Sequence, residues 1–365
     1  MNHNKNHYCV IMAGGVGARF WPMSKTSRPK QFIDILGLGK TFIQMTFDRF
    51  SKICPSEQIY IVTNEMYRDL VMEQLPQLSP EQVLCEPARR NTAPCIAYAN
   101  HVIKAKNSEA VIVVAPSDHI ILNEEVFTQN VLAAMAAANE HPWLITLGIE
   151  PSRPDTGYGY IQFVDQEVLP KLPKMKKVKT FTEKPNLELA LTFLESGDFL
   201  WNSGIFIWSL AAIDNAFEQF LPEVNELFKD GTGKYGTAAE AAFINDAYSV
   251  CRNISIDYGV MEKADNVYVM SVDFGWSDLG TWGSLYDIRK KDENQNTIMG
   301  NNVLTYDSKG CIVNMPKDKI VVLQGLEDYI VVEDENALLI CKRDDEQQIR
   351  QFVNDIKVDK GEKYV

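Results

Sequence analysis

The sequence predicts an α/β protein whose sheet is mixed but mostly parallel, followed by a small all-β appendage. Three observations predict it. Short β-branched runs alternate with helical patterns through the first half, and closely spaced strand-like pieces follow after about residue 285. The chain has 365 residues of which 45% are hydrophobic, enough to bury a substantial core spread over roughly two domains.

Tyr8 to Met12, Gln58 to Thr63, Ala110 to Ala115 and Trp143 to Gly148 read as buried strands. Among them, Thr92 to Lys106 and Glu124 to Glu140 carry helix formers at helical spacing. That rhythm implies right-handed crossovers and a sheet covered on both faces, with ligands bound at the carboxyl ends of the strands. Lys171 to Lys179 is a Lys/Pro-rich connector and reads as a solvated loop; Val178 to Thr182 and Gly204 to Trp208 read as further strands. After about residue 285, the pieces Asn302 to Tyr306, Cys311 to Asn314, Ile320 to Leu323, Tyr329 to Glu333 and Ala337 to Lys342 leave no room for helical crossovers. They suggest a β-solenoid of a few coils.

Asp and Glu outnumber Lys and Arg by 49 to 36. A surface this acidic repels nucleic acid and anionic membranes, so neither is expected as a partner, and an anionic ligand needs a local basic site. MNHNKNH opens the chain without an apolar stretch long enough for a signal peptide or a membrane span, which leads us to expect a cytoplasmic protein. The seven cysteines are scattered and never form CxxC, so they read as small buried hydrophobes of a reducing compartment. Of the five histidines only His3 and His7, in the polar opening stretch, fall at HxxxH spacing and none at HExxH, which gives zinc chemistry little to build on.

The local basic site is the first connection, IMAGGVGARFWPMSKTSRPKQF, residues 11 to 32. Gly14, Gly15 and Gly17 follow a strand directly, where glycine allows positive φ and lets backbone amides point at phosphate oxygens. A tight turn is the plain alternative. GxGxxG would need glycine at Phe20, and GxxxxGK[ST] would need it at Asp34, so neither motif fits. What remains is a glycine turn followed by Arg19, Lys25, Arg28 and Lys30, with Pro22 and Pro29 denying a regular helix. Forked and point-like cations of this kind suit a chain of phosphates such as a triphosphate.

GGVGARFWPMSKTSRPKQF resembles the signature loop of the sugar-nucleotide pyrophosphorylases, and Trp21 with the PKQF ending resembles their mannose-1-phosphate guanylyltransferase branch. Ala18 departs from the serine or threonine usual there, and Phe20 from leucine. EPARRNTAP, VAPSDHII, GIEPSRPDTGYGYI, FTEKP, WNSGIFIW, SIDYGVMEK and FGWSDLGTW, spread in order from residue 86 to 282, extend the resemblance over nearly the whole chain. It implies a Rossmann-like catalytic domain over residues 1–285 and a left-handed β-helix over 286–365. The implied reaction joins GTP and α-D-mannose 1-phosphate into GDP-mannose and pyrophosphate, with Mg²⁺ as cofactor.

The resemblance also implies roles. Arg19 and Lys30 would meet the triphosphate, while Lys25 and Arg28 are equally readable as solvated. Asp118, at a strand's carboxyl end, and Asp278, in a second turn, would hold the metal, or else be turn and cap aspartates. Lys184 would hold the sugar phosphate, with Glu183, Tyr158, Gly159 and Asn202 at the sugar; a surface ion pair and a structural turn are the bland readings of Glu183–Lys184 and Asn202. Glu86, Asn91 and Ser117 would lie with the nucleotide, with Arg90 a further candidate for the purine edge. Asn91 and Thr92 could equally cap a helix. Asp257 reads as an orienting or a buried structural carboxylate.

Two alternatives stay open at this stage. The same chemistry could use another nucleotide or hexose 1-phosphate, as a uridylyl-, thymidylyl- or adenylyltransferase would. A non-catalytic sugar-nucleotide-binding paralogue could dispense with one of these residues, but Arg19, Lys30, Asp118, Lys184 and Asp278 are all present. A β appendage with exposed edges is open to pairing as a homodimer.

Overall fold

The computed structural model describes residues 4–365. They form two compact units. The larger takes the chain up to Gly14, Gln44–Ser117 and Ile121–Trp276; the smaller takes Gly15–Ile43, Asp118–Ile120 and Ser277–Val365. Among the described residues no helix is long and apolar enough to cross a membrane.

The larger unit is built on nine strands: β1 His7–Met12, β2 Ile59–Asn64, β3 Val83–Glu86, β4 Val111–Pro116, β5 Leu144–Ile149, β6 Gly159–Val164, β7 Met175–Glu183, β8 Phe199–Ser209 and β9 Val267–Val272. Their order is β3-β2-β1-β4-β8-β5-β9-β7-β6. The first four are mutually parallel, a Rossmann-like arrangement, and β5 pairs parallel with β9. The sheet is mixed, as expected, with a larger antiparallel share than the strand–helix rhythm suggests, because β8 runs antiparallel between β4 and β5.

Register aligns the strand ends. Met12 of β1 faces both Val62 and Pro116, and Asn64 of β2 faces Glu86 of β3, so Gly14, Glu86 and Ser117 emerge along one edge of this sheet. Tyr8, Val10, Ile112, Val114 and Trp208 point into one core, closed by helix α1 (Thr92–Lys106) and helix α3 (Leu210–Phe220); helix α2 (Glu124–Glu140) packs against β4, β5 and β8. Asn91 starts α1 and Asn123 starts α2, each accepting a hydrogen bond from a first-turn amide.

In the smaller unit, β10 (Thr297–Met299), β12 (Ile312–Asn314) and β14 (Tyr329–Asp334) stack in parallel, as do β11 (Val303–Tyr306) and β13 (Val321–Gln324). Ile312 stands over Ile330 and Val303 over Val321, the repeat of a solenoid coil. Cys311, Val313, Met315, Leu323 and Val331 fill its core. β15 (Ala337–Lys342) then folds back antiparallel on β14, and helix α4 (Ile349–Lys360) follows. The all-β expectation for this region missed that helix.

Candidate active site

The prolines of the first connection predict a loop without regular helix, and between Gly15 and Thr41 the chain holds two short 3₁₀ turns, Ala18–Phe20 and Lys30–Phe32, before a helix begins at Phe42. Its carbonyls are held from within. Gln31 Nε2 donates to the Gly15 carbonyl over 2.9 Å, while the Lys30 amide (3.2 Å) and Ser24 Oγ (2.5 Å) both donate to that of Val16. The amides of Gly15, Val16 and Gly17 donate to no acceptor among the described residues. Such a run of unclaimed N–H groups suits phosphate oxygens. Of the three glycines only Gly17 adopts a left-handed φ, +69°, and a Cβ there would stand 2.5 Å from Lys30 Cβ.

Lys30 is the centre of the smaller unit's site. Its buried ammonium lies 2.9 Å from Asp118 Oδ2 and donates to the Asp278 carbonyl over 2.7 Å, with the Phe20 and Phe42 rings 5.7 and 5.3 Å away. Asp278 Oδ1 accepts from the Gly280 amide at 3.0 Å, and Arg19 Nη1 donates to the Gly280 carbonyl at 3.3 Å. Arg19 Nε is buried without a partner, an orphan donor that an anion would satisfy. Burial pushes the Asp118 carboxyl up, but the charges of Lys30 and His119 pull harder and hold it below the usual carboxylate range. The Lys30 ammonium therefore joins the Asp118 carboxylate to the Asp278 backbone, and Arg19 bonds two residues further on, at Gly280. Among the described residues no three His, Cys, Asp or Glu side chains cluster as metal ligands.

Lys25 and Arg28 have other business. Lys25 Nζ lies 2.7 Å from Glu335 Oε2, and Arg28 Nη2 lies 3.0 Å from Asp334 Oδ2. Lys25 is only 6% exposed, which rules out the solvated reading for it.

The larger unit holds two sets of its own. At the edge of β3, Tyr248 donates to Glu86 Oε1 over 2.9 Å, and Gly14 lies alongside, where a Cβ would make ordinary contact with Glu86 Oε2 at 3.6 Å. Burial pushes the Glu86 carboxyl up to about 7, against the pull of Tyr248 and Arg89. Asn91 caps α1 through its own side chain, which accepts from the Thr92 amide at 2.9 Å. Arg90 donates to the Tyr248 and Ser249 carbonyls, at 3.0 and 3.3 Å, through Nε and Nη2. Ser117 is buried; its amide donates to the Met12 carbonyl and its own carbonyl accepts from Thr46 Oγ1, both at 3.0 Å.

The second set lies where β6, β7 and β8 meet. Gly159 faces Glu183 in register, and Glu183 forms an ion pair with Lys184, whose ammonium is largely exposed. Asn202 was expected in a loop before a strand. It sits inside β8, at a bulge opposite Gly148, where its Nδ2 donates to Asp257 Oδ1 over 2.8 Å and its Oδ1 accepts from the Gly204 amide at 3.1 Å. Burial pushes Asp257 up, with Asn202 pulling it down and Glu183 pushing it further up. Tyr158 packs edge-on against Trp201 and Trp276, with ring centres 5.0 and 5.2 Å apart, under the Arg153 guanidinium.

The family model described as nucleotidyl transferase matches residues 8–295. The chain belongs to that family. As a nucleotidyltransferase it also carries, over residues 300–356, a match to the MannoseP isomerase/GMP-like beta-helix domain, which agrees with the stacked coils. A mannose-1-phosphate guanylyltransferase of Salmonella montevideo is 35% identical over 98% of this chain and 75% of its own length. One of Klebsiella pneumoniae is 34% identical over 97% and 75%. The crystal structure described as a mannose-1-phosphate geranyltransferase from Thermus thermophilus superposes with a TM-score of 0.85 at 28% identity, covering 96% of this chain and 99% of that one.

Within this nucleotidyltransferase, sequence reasoning passed over Ser24 and Gln31, which orient the loop carbonyls, and Tyr248, which holds Glu86. It also passed over Asp334 and Glu335. Gln31 stands inside the quoted motif and could have been asked what a buried amide does there; the others give no local signal.

Proposed function

We propose that this nucleotidyltransferase is a mannose-1-phosphate guanylyltransferase, making GDP-mannose and pyrophosphate from GTP and α-D-mannose 1-phosphate. The observation that carries the reading is the Lys30 ammonium held by the Asp118 carboxylate and the Asp278 carbonyl, with Arg19 bonded to Gly280 beside them, residues drawn from three distant stretches of chain. The relatives' names support the choice of substrates.

The reaction needs no side-chain nucleophile. A phosphate oxygen of the sugar 1-phosphate bonds to the α-phosphorus as the α–β bridging P–O bond breaks, and pyrophosphate leaves with that electron pair. Two anions must meet, so the protein's task is to neutralise charge and align the groups. The unclaimed amides of Gly15, Val16 and Gly17 and the orphan Arg19 Nε receive the triphosphate. Lys30 adds a fixed positive charge. Lys184, exposed beside Glu183, takes the sugar phosphate, while Glu183 and Asn202 accept from and donate to the hydroxyls. Glu86, ionised, accepts from the N–H edge of guanine.

The donor set fits a hard divalent cation. Asp118 and Asp278 offer only oxygen, and two carboxylates leave the remaining positions to phosphate oxygens and water, as Mg²⁺ prefers. These two residues would hold it, and when bound it neutralises phosphate charge.

Pyrophosphate release from each of the four main triphosphates, with mannose and glucose 1-phosphates compared, tests the assignment. GTP with mannose 1-phosphate should turn over at least tenfold faster than any other pair. A preference for UTP or dTTP would overturn it.

A further inference from the structure

The phosphate loop of the smaller unit is clamped by the tip of the β14–β15 hairpin, which lies 310 residues further along the chain for the pair Lys25 and Glu335. Lys25 and Arg28 close a tight turn on each other: the Lys25 amide donates to the Arg28 carbonyl at 3.2 Å and the Arg28 amide returns the bond at 3.0 Å. Both side chains therefore leave the turn together. They meet Asp334, the last residue of β14, and Glu335 at the hairpin tip, held at a φ of +50°. Arg28 Nη2 lies 3.0 Å from Asp334 Oδ2; Lys25 Nζ lies 3.8 Å from the same oxygen and 2.7 Å from Glu335 Oε2. Side-chain exposure is 6% for Lys25 and 20% for Asp334, against 42% for Arg28 and 62% for Glu335, so the two more buried members share a contact with exposed partners on either side, a network with a shared acceptor.

The clamp sits between the functional ends of the loop. Arg19 lies six residues before Lys25 and Lys30 two residues after Arg28. A second tie fixes the near side, where Trp21 Nε1 donates to the Tyr364 carbonyl over 2.7 Å. Pro22 and Pro29 stiffen what lies between. Displacing the turn would carry Lys30 away from Asp118 and Arg19 away from Gly280.

We propose that Asp334 and Glu335 are positioning residues of the transfer reaction: they hold Lys25 and Arg28 and thereby set the loop that presents Arg19 and Lys30 to the triphosphate. The inference rests on the reading of the loop given under the proposed function. Lys25 and Arg28 then act through their acidic partners and do not touch phosphate. If Arg28 were itself a phosphate ligand, freeing it from Asp334 would strengthen GTP binding; the clamp requires the opposite.

The test is a double-mutant cycle on the full chain, Asp334→Asn, Arg28→Ala and both together, read in two ways. Hydrogen exchange of peptides covering residues 15–32, without ligand, should quicken at least tenfold in each single variant, while peptides of β1 and β4 keep their rates. Steady-state pyrophosphate release should show KM for GTP raised about tenfold, KM for mannose 1-phosphate within twofold of the original, and a double variant no worse than either single one. Additive losses, tighter GTP binding in Asp334→Asn, or unchanged loop exchange would each overturn the proposal. So would quickened exchange with unaltered KM for GTP. Absence of turnover in the unmodified protein, with loop exchange responding as expected, would count against the guanylyltransferase reading alone.

Discussion

The Lys30 ammonium lies 2.9 Å from Asp118 Oδ2, although 87 residues separate the two in sequence, and it reaches a third stretch of chain through the Asp278 carbonyl. Lys30 is buried while Asp118 keeps a side-chain exposure of 30%. Removing the cation leaves a carboxylate and a carbonyl facing a hole. Breaking a fully buried pair costs about 3–5 kcal/mol, and the exposure of Asp118 argues for roughly 2 here. Lys30→Met should therefore lower stability by about 2 kcal/mol in urea unfolding and cut kcat/KM by roughly a thousandfold, the scale of losing an electrostatic stabiliser of the transition state. Full activity in that variant would remove Lys30 from the mechanism.

Asp278 uses one carboxylate oxygen to accept from the Gly280 amide, a bond that asparagine can keep through its side-chain oxygen. Asp278→Asn should accordingly keep that turn. An amide is a poor ligand for a hard cation, so the variant should need at least tenfold more Mg²⁺ for half-maximal turnover. An unchanged Mg²⁺ titration would take Asp278 out of the metal site.

Gly17 combines two demands that alanine fails. A non-glycine residue at its φ of +69° costs about 1 kcal/mol. The added Cβ would lie 2.5 Å from Lys30 Cβ, an atom too close to its backbone to swing aside. Gly17→Ala should lower the melting temperature by a few degrees and displace Lys30, costing roughly a hundredfold in kcat/KM. For stability Gly15→Ala is the control, because a Cβ there meets nothing within 4 Å of the protein. An equal drop in melting temperature from both substitutions would show that strain at Gly17 is not what matters.

Much of this architecture is legible in the sequence, for physical reasons that differ by element. α1 and α2 run over the residues predicted for them, because Asn91 and Asn123 mark their starts and the apolar spacing is helical. β8 was read only from Gly204 onward, since Asn202-Ser203-Gly204 looks like a turn; instead Ser203 Oγ donates to the Leu147 carbonyl at 2.7 Å and Gly204 takes a φ of +69°, a bulge within one long strand. In α4, Ile349, Phe352, Val353 and Ile356 recur at helical spacing, a signal that the short-strand texture before it obscured. Arg19, Lys30, Asp118 and Asp278 could be chosen from motif and strand-end position. The partners of Lys25 and Arg28 could not, because nothing local to a turn at residues 25–28 points to acids at 334 and 335.

Lys184 stands with its ammonium largely exposed on Glu183, so its removal disturbs no core. Lys184→Ala should unfold like the original protein while KM for mannose 1-phosphate rises at least tenfold and KM for GTP stays within twofold. A uniform rise in both constants, measured by pyrophosphate release, would place this lysine elsewhere in the reaction.

Glu86 ties stability to pH. Burial raises its carboxyl from the ordinary 4.5 to about 7. Between those values the folded protein keeps a proton that the unfolded chain has released, so the associated stability is fully present below pH 4.5 and is lost as pH rises through 7. The slope is at most about 1.4 kcal/mol per pH unit, and it flattens above the folded value. Glu86→Gln carries the neutral shape permanently; urea midpoints measured from pH 5 to 8 should show it losing the decline and gaining stability over the original at pH 8. Binding should move the other way. Guanine offers N–H donors, which only the ionised carboxylate fully accepts, so GTP affinity in the original protein should climb as pH passes 7, and the Gln variant should bind GTP at least tenfold more weakly at pH 8. If both proteins show the same pH profile for unfolding, Glu86 is ionised in the fold and its burial is compensated by Tyr248 and Arg89; if they also bind GTP equally, it does not meet the base.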